Sequence, residues 1–270
     1  MRAASITVTP MTVERSIGRT FAIYTKEARY EFLKLLRLPV YSISTILFPV
    51  MFYVLFGLLL NRGHEANGIS IAAYLMATYG TFAVMGASLF GFGAGLASER
   101  GLGWFEVKRA SPMPPLAYFA AKTIVCMAFS LIVVLILLAL GFTFGNVHLT
   151  VGQAIRLVAT LVLGASAFCA MGLAIGYFAG PTSAPALVNL LYLPLSFASG
   201  LWIPIDMLPH FVQRIAPFLP PYHLGQLALS AVGVGHGAHF YHWEALAGFA
   251  LVCLGIARLG FQRDEGKTYG

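Results

Sequence analysis

Two groups of residues have the types and spacing to do chemistry. His236, His239 and His242 recur every third position in HGAHFYHW, with Glu244 just beyond, and such side chains hold transition metals. Gly266-Lys267-Thr268 has the ending of a phosphate-binding loop. Neither carries its chemistry through. The histidines have no nearby carboxylate besides Glu244, so interfacial imidazoles are expected rather than a metal centre. A phosphate loop needs a glycine where Phe261 stands and a helix after Thr268, where two residues follow. Gly164-Ala165-Ser166-Ala167 lacks the glycine two places after the serine that a nucleophile elbow requires, and no His-Glu-x-x-His occurs. Cys126, Cys169 and Cys253 sit in apolar runs without ligand spacing and read as packing residues. The prediction is a chain with no catalytic residue, no metal site and no directly bound cofactor.

The densest polar chemistry lies elsewhere, in ASERGLGWFEVKRASPMPP at residues 97–115. Glu99, Arg100, Gly103, Trp104, Phe105, Glu106, Lys108, Arg109 and Pro112 crowd into this segment between two uncharged apolar stretches. A short helix is predicted from about Gly103 to Arg109, ended at Ser111-Pro112 because the residue before proline avoids helix. Aromatics flanked by charges form anchors and rim of a protein interface. Trp and Phe also favour lipid headgroups. Composition alone leaves both readings open.

The elements around this segment follow from composition. The chain is 59% hydrophobic and only 10% charged, with a mean hydropathy of +0.80. Soluble domains carry about 25% charged residues, so the bilayer must solvate most of this one. The length suits one membrane domain. A net charge of +7 does not call for nucleic acid, because basic residues collect at the cytoplasmic face of membrane proteins. Residues 1–37 are expected to form a cytoplasmic, interfacial region without the apolar core of a cleavable export signal. Within it, Ile17, Phe21, Tyr24, Ala28, Phe32 and Leu35 recur at helical spacing between basic residues, which predicts an amphipathic helix lying at the headgroups.

Residues 38–270 read as a six-span membrane domain. A helix needs about 20 apolar residues to cross the bilayer. Segments 38–60, 71–97, 117–144, 155–179 and 185–203 meet that length, and 243–261 is a weaker sixth because it contains Arg258. Placing the N-terminus in the cytoplasm puts fourteen of the seventeen Lys and Arg residues inside, leaving Arg62, Arg156 and Arg214 outside. The positive-inside rule therefore predicts cytoplasmic termini and a cytoplasmic 98–116 loop. No ionisable residue falls centrally in a predicted span, which argues against coupling through an intramembrane carboxylate relay.

Small residues repeat every four positions at Ala83, Ala87, Gly91 and Gly95, and again at Gly172, Gly176 and Gly180, giving smooth faces for helix packing. The outer segment 200–242 is apolar but broken by Pro204, Pro209, Pro217, Pro220 and Pro221. It predicts two half-helices dipping into the outer leaflet, one capped by Asp206 and running to about Ile215, the other from Tyr222 to Ala231.

Taken together, Glu99-Arg100, Gly103-x-x-Glu106, Arg109-x-Ser111-Pro112, Tyr118 and Lys122 resemble the cytoplasmic loop of type-two ABC transporter permeases. Ser199-Gly200-x-Trp202-x-Pro204, Leu208-Pro209 and Pro220-Pro221-Tyr222 resemble that family's extracellular re-entrant segment. The resemblance covers nearly the whole chain. It implies an all-α polytopic fold: six transmembrane helices, an N-terminal amphipathic helix, a cytoplasmic coupling helix and an outer re-entrant hairpin. It also implies a subunit of a bacterial exporter in the cytoplasmic (inner) membrane, paired with a second permease copy. A separate ABC ATPase would use ATP and Mg²⁺. Residues 98–112 would dock in a groove on that ATPase. Ser88, Gly91, Asn189, Ser196 and Ser199 would border a path for drugs, antibiotics or lipids between the second and fifth spans. The competing readings are a self-sufficient secondary transporter or intramembrane enzyme, and a non-transporting protein that recruits a partner through its loop.

Overall fold

The computed structural model describes residues 17–61, 65–66, 69–104, 115–234 and 239–268. Helix α1 (Ile17–Leu36) leads directly into α2 (Pro39–Phe52), whose first-turn Pro39 lacks only an N–H that would have no helical partner. Past the internal Pro49, α2 widens into a π-helical stretch, Tyr53–Leu59. Strands β1 (Glu65–Ala66) and β2 (Ile69–Ser70) form a small antiparallel clip before the next helix, with Glu65 opposite Ser70.

Helix α3 (Ile71–Ser88) continues through a π-helical Leu89–Ala94 into α4 (Gly95–Gly101). The resulting rod, Ile71–Gly101, spans 31 residues, and nearly every side chain of α3 is buried. A helix that is apolar all round belongs at the centre of a bundle. Helices α5 (Pro115–Phe144) and α6 (Val151–Phe178) pack on its sides. The start of α6 is fixed by Thr150, whose Oγ1 accepts from Gln153 N while Gln153 Oε1 accepts from Thr150 N.

Helix α7 (Ala184–Ala198) is shorter than the span predicted over 185–203. At about 22 Å it falls short of a roughly 30 Å hydrocarbon layer. The stop is local chemistry. Gly200 adopts φ +74°, its N–H bonds Phe197 O, and Leu201 N–H bonds Ser196 O, closing the helix with a glycine cap. A turn of 3-10 helix at Ile205–Met207, helix α8 (His210–Ile215), a second 3-10 turn at Ala216–Phe218 and α9 (Pro220–Ala231) follow. Two short helices thus lie at the chain positions where half-helices were predicted. The first is not capped by the Asp206 side chain as expected; Pro209 precedes it, and the backbone carbonyl of Asp206 accepts from Gln213 Nε2. Helix α10 (His239–Thr268) runs well beyond the predicted 243–261 at both ends.

Among the described residues five helices are long and apolar enough to cross a membrane, and α7 is a shorter apolar sixth. The chain is an all-α polytopic membrane protein, the two-residue strands aside. Glycine permits one of its close helix contacts. Gly172 on α6 lies so near the α3 rod that an added Cβ would stand 3.0 Å from Ser88 O and 3.1 Å from Gly93 N. The small-residue repeat of α6 therefore does pack a helix against a helix, but its partner is Gly93. Gly91, in the repeat of the second span, faces Tyr41 and Cys126.

Candidate functional site: an ion cluster beside a lateral cavity

Helix α4 ends at Gly101 and α5 begins at Pro115, so both ends of the 98–116 connection lie at one end of the bundle, here called the loop end. There Glu99 from α4, Lys122 from α5, and Glu31 and Lys34 from α1 converge. Lys122 Nζ lies 2.5 Å from Glu31 Oε1 and 2.9 Å from Glu99 Oε1. Lys34 also contacts Glu99, and it reaches Glu31 at 3.2 Å. The Tyr118 hydroxyl donates to Glu99 Oε2. Lys122 is only 1% exposed, Glu31 4% and Glu99 6%.

Two carboxylates face two ammonium groups in this cluster. Each buried ion would cost several kcal/mol alone, and matched pairing with full hydrogen bonding is what makes the burial tolerable. Glu99 stands at the start of the connection, while Tyr118 and Lys122 stand just after it. The cluster therefore clamps both ends of the connection to each other and to α1. Arg100 adds a second tie. Its Nη1 donates to Gly176 O at 2.7 Å and Tyr177 O at 2.9 Å, capping the last carbonyls of α6 where a cation complements the helix dipole.

These positions sort the residues singled out in the sequence. Glu99 and Arg100 point into the bundle rather than opening an exposed loop, because each has buried partners to satisfy. Gly103 has φ +74° with open space around it, a left-handed turn that glycine adopts freely. Trp104 is 53% exposed. Phe105, Glu106, Lys108, Arg109 and Pro112 lie outside the described residues. Glu31 and Lys34 went unnoticed in the sequence. The signal was there for Glu31, a carboxylate flanked by Ala28, Phe32 and Leu35 on the apolar stripe of α1.

Beside the cluster, α1, α2, the α3–α4 rod and α7 enclose a cavity of about 1150 Å³. Its loop end carries Glu27, Glu31, Lys34, Glu99 and Trp104, and its body is formed by side chains such as Tyr41, Phe48, Phe90, Tyr192 and Leu193. From Glu99 to Gly86, both on the lining, the rod rises about 20 Å. Beyond the far end of the cavity an aromatic cluster closes the bundle. Phe82 stacks on Tyr192 at 4.4 Å between ring centres, and Trp202 meets Phe52, Phe82 and Phe197 at 4.5, 5.1 and 4.9 Å. The Trp202 Nε1 donor is buried with no hydrogen-bond partner among the described residues.

Of the five residues expected along a path, Asn189 lines this cavity. The other four are packed within the subunit in this conformation. Ser88 Oγ donates to Ala165 O at 3.3 Å, Ser196 Oγ donates to Tyr192 O, and Ser199 is buried beside the Gly200 turn. Gly91 is filled against by Tyr41, whose hydroxyl donates to Ala87 O.

At the opposite end, His242 pairs with His223 of α9, Nδ1 to Nδ1 at 2.9 Å, while His223 Nε2 donates to Pro217 O at 2.9 Å. With the Nε2 proton so engaged, His223 Nδ1 is the acceptor for His242. Burial holds the His223 imidazole below its ordinary pKa. No group of three or more metal-ligating side chains converges among the described residues. Cys126, Cys169 and Cys253 are buried free thiols.

Comparison with known proteins supplies the class. A profile described as ABC-2 type transporter matches residues 27–232, from the middle of α1 through α9. A protein of Bacillus subtilis (strain 168) named "Putative transport permease YvfS" is 27% identical over 210 residues, covering 78% of this chain and 85% of that protein. The match takes in both ends of the clamped connection and every wall of the cavity. This chain belongs to the ABC-2 type transporter family and is the membrane permease component of an ABC transporter.

Proposed function

We propose that this permease works as an exporter subunit, pairing with a second copy and driven by a separate cytoplasmic ABC ATPase that uses ATP and Mg²⁺. In this reading the loop end faces the cytoplasm of a bacterial cell, both termini included, and the 98–116 connection is the coupling element. The cavity is the inward-facing part of the route, and apolar cargo such as a drug, antibiotic or lipid is the expected load.

The observation that carries the reading is the clamp on both ends of the connection. A push on residues 101–115 reaches the bundle through Glu99 on one side and Tyr118 and Lys122 on the other. Because these residues also hold Glu31 and Lys34, the push is shared with α1, which forms a wall of the cavity. Packed side chains and buried ion pairs transmit displacement because they have few alternative arrangements. The aromatic cluster around Trp202 would be the barrier that opens when the walls move.

The charge distribution supports the orientation, since with the N-terminus in the cytoplasm fourteen of the seventeen Lys and Arg residues would fall on that side. The direct test is gentle extraction of the native membrane followed by mass spectrometry of what co-purifies. A stoichiometric ABC ATPase is the expected companion. Its absence from a preparation that still transports would overturn the proposal.

A further inference from the structure

We infer that the outward face of α1 is an anionic-lipid surface, taking the phosphate headgroups of a bilayer in preference to zwitterionic ones. The inference goes beyond the export reading and needs neither its direction nor its cargo.

Charge is sorted around α1. At 3.6 residues per turn, Lys26, Arg29 and Arg37 fall within an arc of about 80° and extend about 16 Å along the axis. Arg37 lies one residue past the helix end, where its N–H still bonds Leu33 O and keeps it on the helical path. All three are exposed, and among the described residues none has an ion-pair partner. The two carboxylates of α1 lie on the other side. Glu31 is buried against Lys122, and Glu27 lines the cavity. Lys34 is engaged by Glu31 and Glu99. The outward face is therefore left with cations and no carboxylate.

Charge alone would suit an acidic protein equally well. Apolar side chains decide for the bilayer. Tyr30 and Leu36 flank the basic arc and Phe21 lies further round, with Tyr30 68% and Phe21 73% exposed. Cations interleaved with exposed aromatic and aliphatic side chains suit a surface where phosphate and hydrocarbon layers adjoin. Lys and Arg stems can lie along such apolar groups while their heads reach the phosphates. Position agrees. Only Arg37 and Leu38 separate α1 from α2, whose apolar stretch of span length begins at Tyr41, so the end of α1 sits where the chain enters the membrane. Because α1 also carries Glu31 and Lys34, headgroups held on its outer face would restrain the inner face that grips Lys122 and Glu99.

The test uses the full chain in lipid nanodiscs. Cys126, Cys169 and Cys253 are buried, so Ala22→Cys, on the exposed face, supplies one accessible thiol for a fluorescent maleimide. Quenching is read with phosphatidylglycerol or phosphatidylcholine carrying the same acyl-chain nitroxide. Phosphatidylglycerol should quench with an apparent affinity about five-fold higher, the advantage conferred by one adjacent cation. That preference should shrink between about 0.15 and about 1 M salt, as the screening length falls from about 8 to about 3 Å. Lys26→Gln with Arg29→Gln and Arg37→Gln should bring the two lipids to parity. Lys26→Arg with Arg29→Lys and Arg37→Lys should keep the preference, which separates charge from misfolding. Equal quenching by the two lipids with the native stripe, or a preference that survives the triple Gln variant, would overturn the inference. Competition by soluble glycerol phosphate would also overturn it, by marking a site for free anions. No quenching by either lipid, with the label shielded only on adding the co-purifying ATPase, would give the face to that protein and overturn the lipid assignment.

Discussion

The Lys122 ammonium lies between the carboxylates of Glu31 and Glu99, joining an N-terminal helix to the flank of a connection 68 residues further along the chain. Lys122 is fully buried, so this contact is a structural commitment rather than a surface ion pair.

Removing one side of such an arrangement is costly. Lys122→Met leaves two buried carboxylates with Lys34 alone and should destabilise the protein by about 3–5 kcal/mol. Thermal unfolding in detergent checks it. Adding Glu31→Gln to Lys122→Met removes one orphaned charge, so the double variant should be more stable than the single one.

Helix contact at Gly172 gives a second prediction. A methyl there would press on Ser88 O and Gly93 N, which are backbone atoms and cannot rotate away. Gly172→Ala should cost about 1–3 kcal/mol, as overpacking does. Gly152 on the same helix has open space around it, and Gly152→Ala should be neutral or stabilising by up to about 1 kcal/mol. Parallel melting curves of the two variants distinguish crowding from helix propensity.

The histidine pair predicts a pH response in the segment between α7 and α10. Burial depresses the His223 pKa below the unfolded value of about 6.5. The unfolded state therefore binds the proton more readily. This contribution to stability is complete above about pH 6.5 and is lost as the pH falls through that value toward the folded pKa. Limited proteolysis between α7 and α10 should accelerate from pH 7.5 to pH 5.5. His223→Gln should flatten that dependence, and an unchanged slope would show that the pair is not responsible.

Hydropathy made most of the fold legible. Long apolar runs have little choice in a bilayer, so the helices of span length were readable from composition. The ends were less so. The end of α7 depends on Gly200 taking a left-handed conformation, which competed with an apolar run that continued through Leu201 and Trp202. The extension of α10 carried polar residues past the span, where a hydropathy window sees nothing.

The site was legible in its chemistry but not in its geometry. Glu99, Arg100, Tyr118 and Lys122 stood out as types, yet their burial depends on Glu31 arriving from α1, and no local pattern pairs residues so far apart. Asn189 was recognisable as a polar group inside an apolar segment. Ser88 and Ser196 were equally recognisable, but each spends its hydroxyl on a backbone carbonyl, a choice made by packing rather than by sequence.

In the proposed function, force enters through the connection and is delivered by a separate ATPase. This is tested most directly by cargo-stimulated ATP hydrolysis and transport in sealed vesicles holding the permease with its co-purifying ATPase. Trp104→Ala combined with Glu106→Ala should abolish both while the protein still inserts in the membrane. Undiminished stimulation and transport by that double variant, or transport by the permease alone, would contradict it.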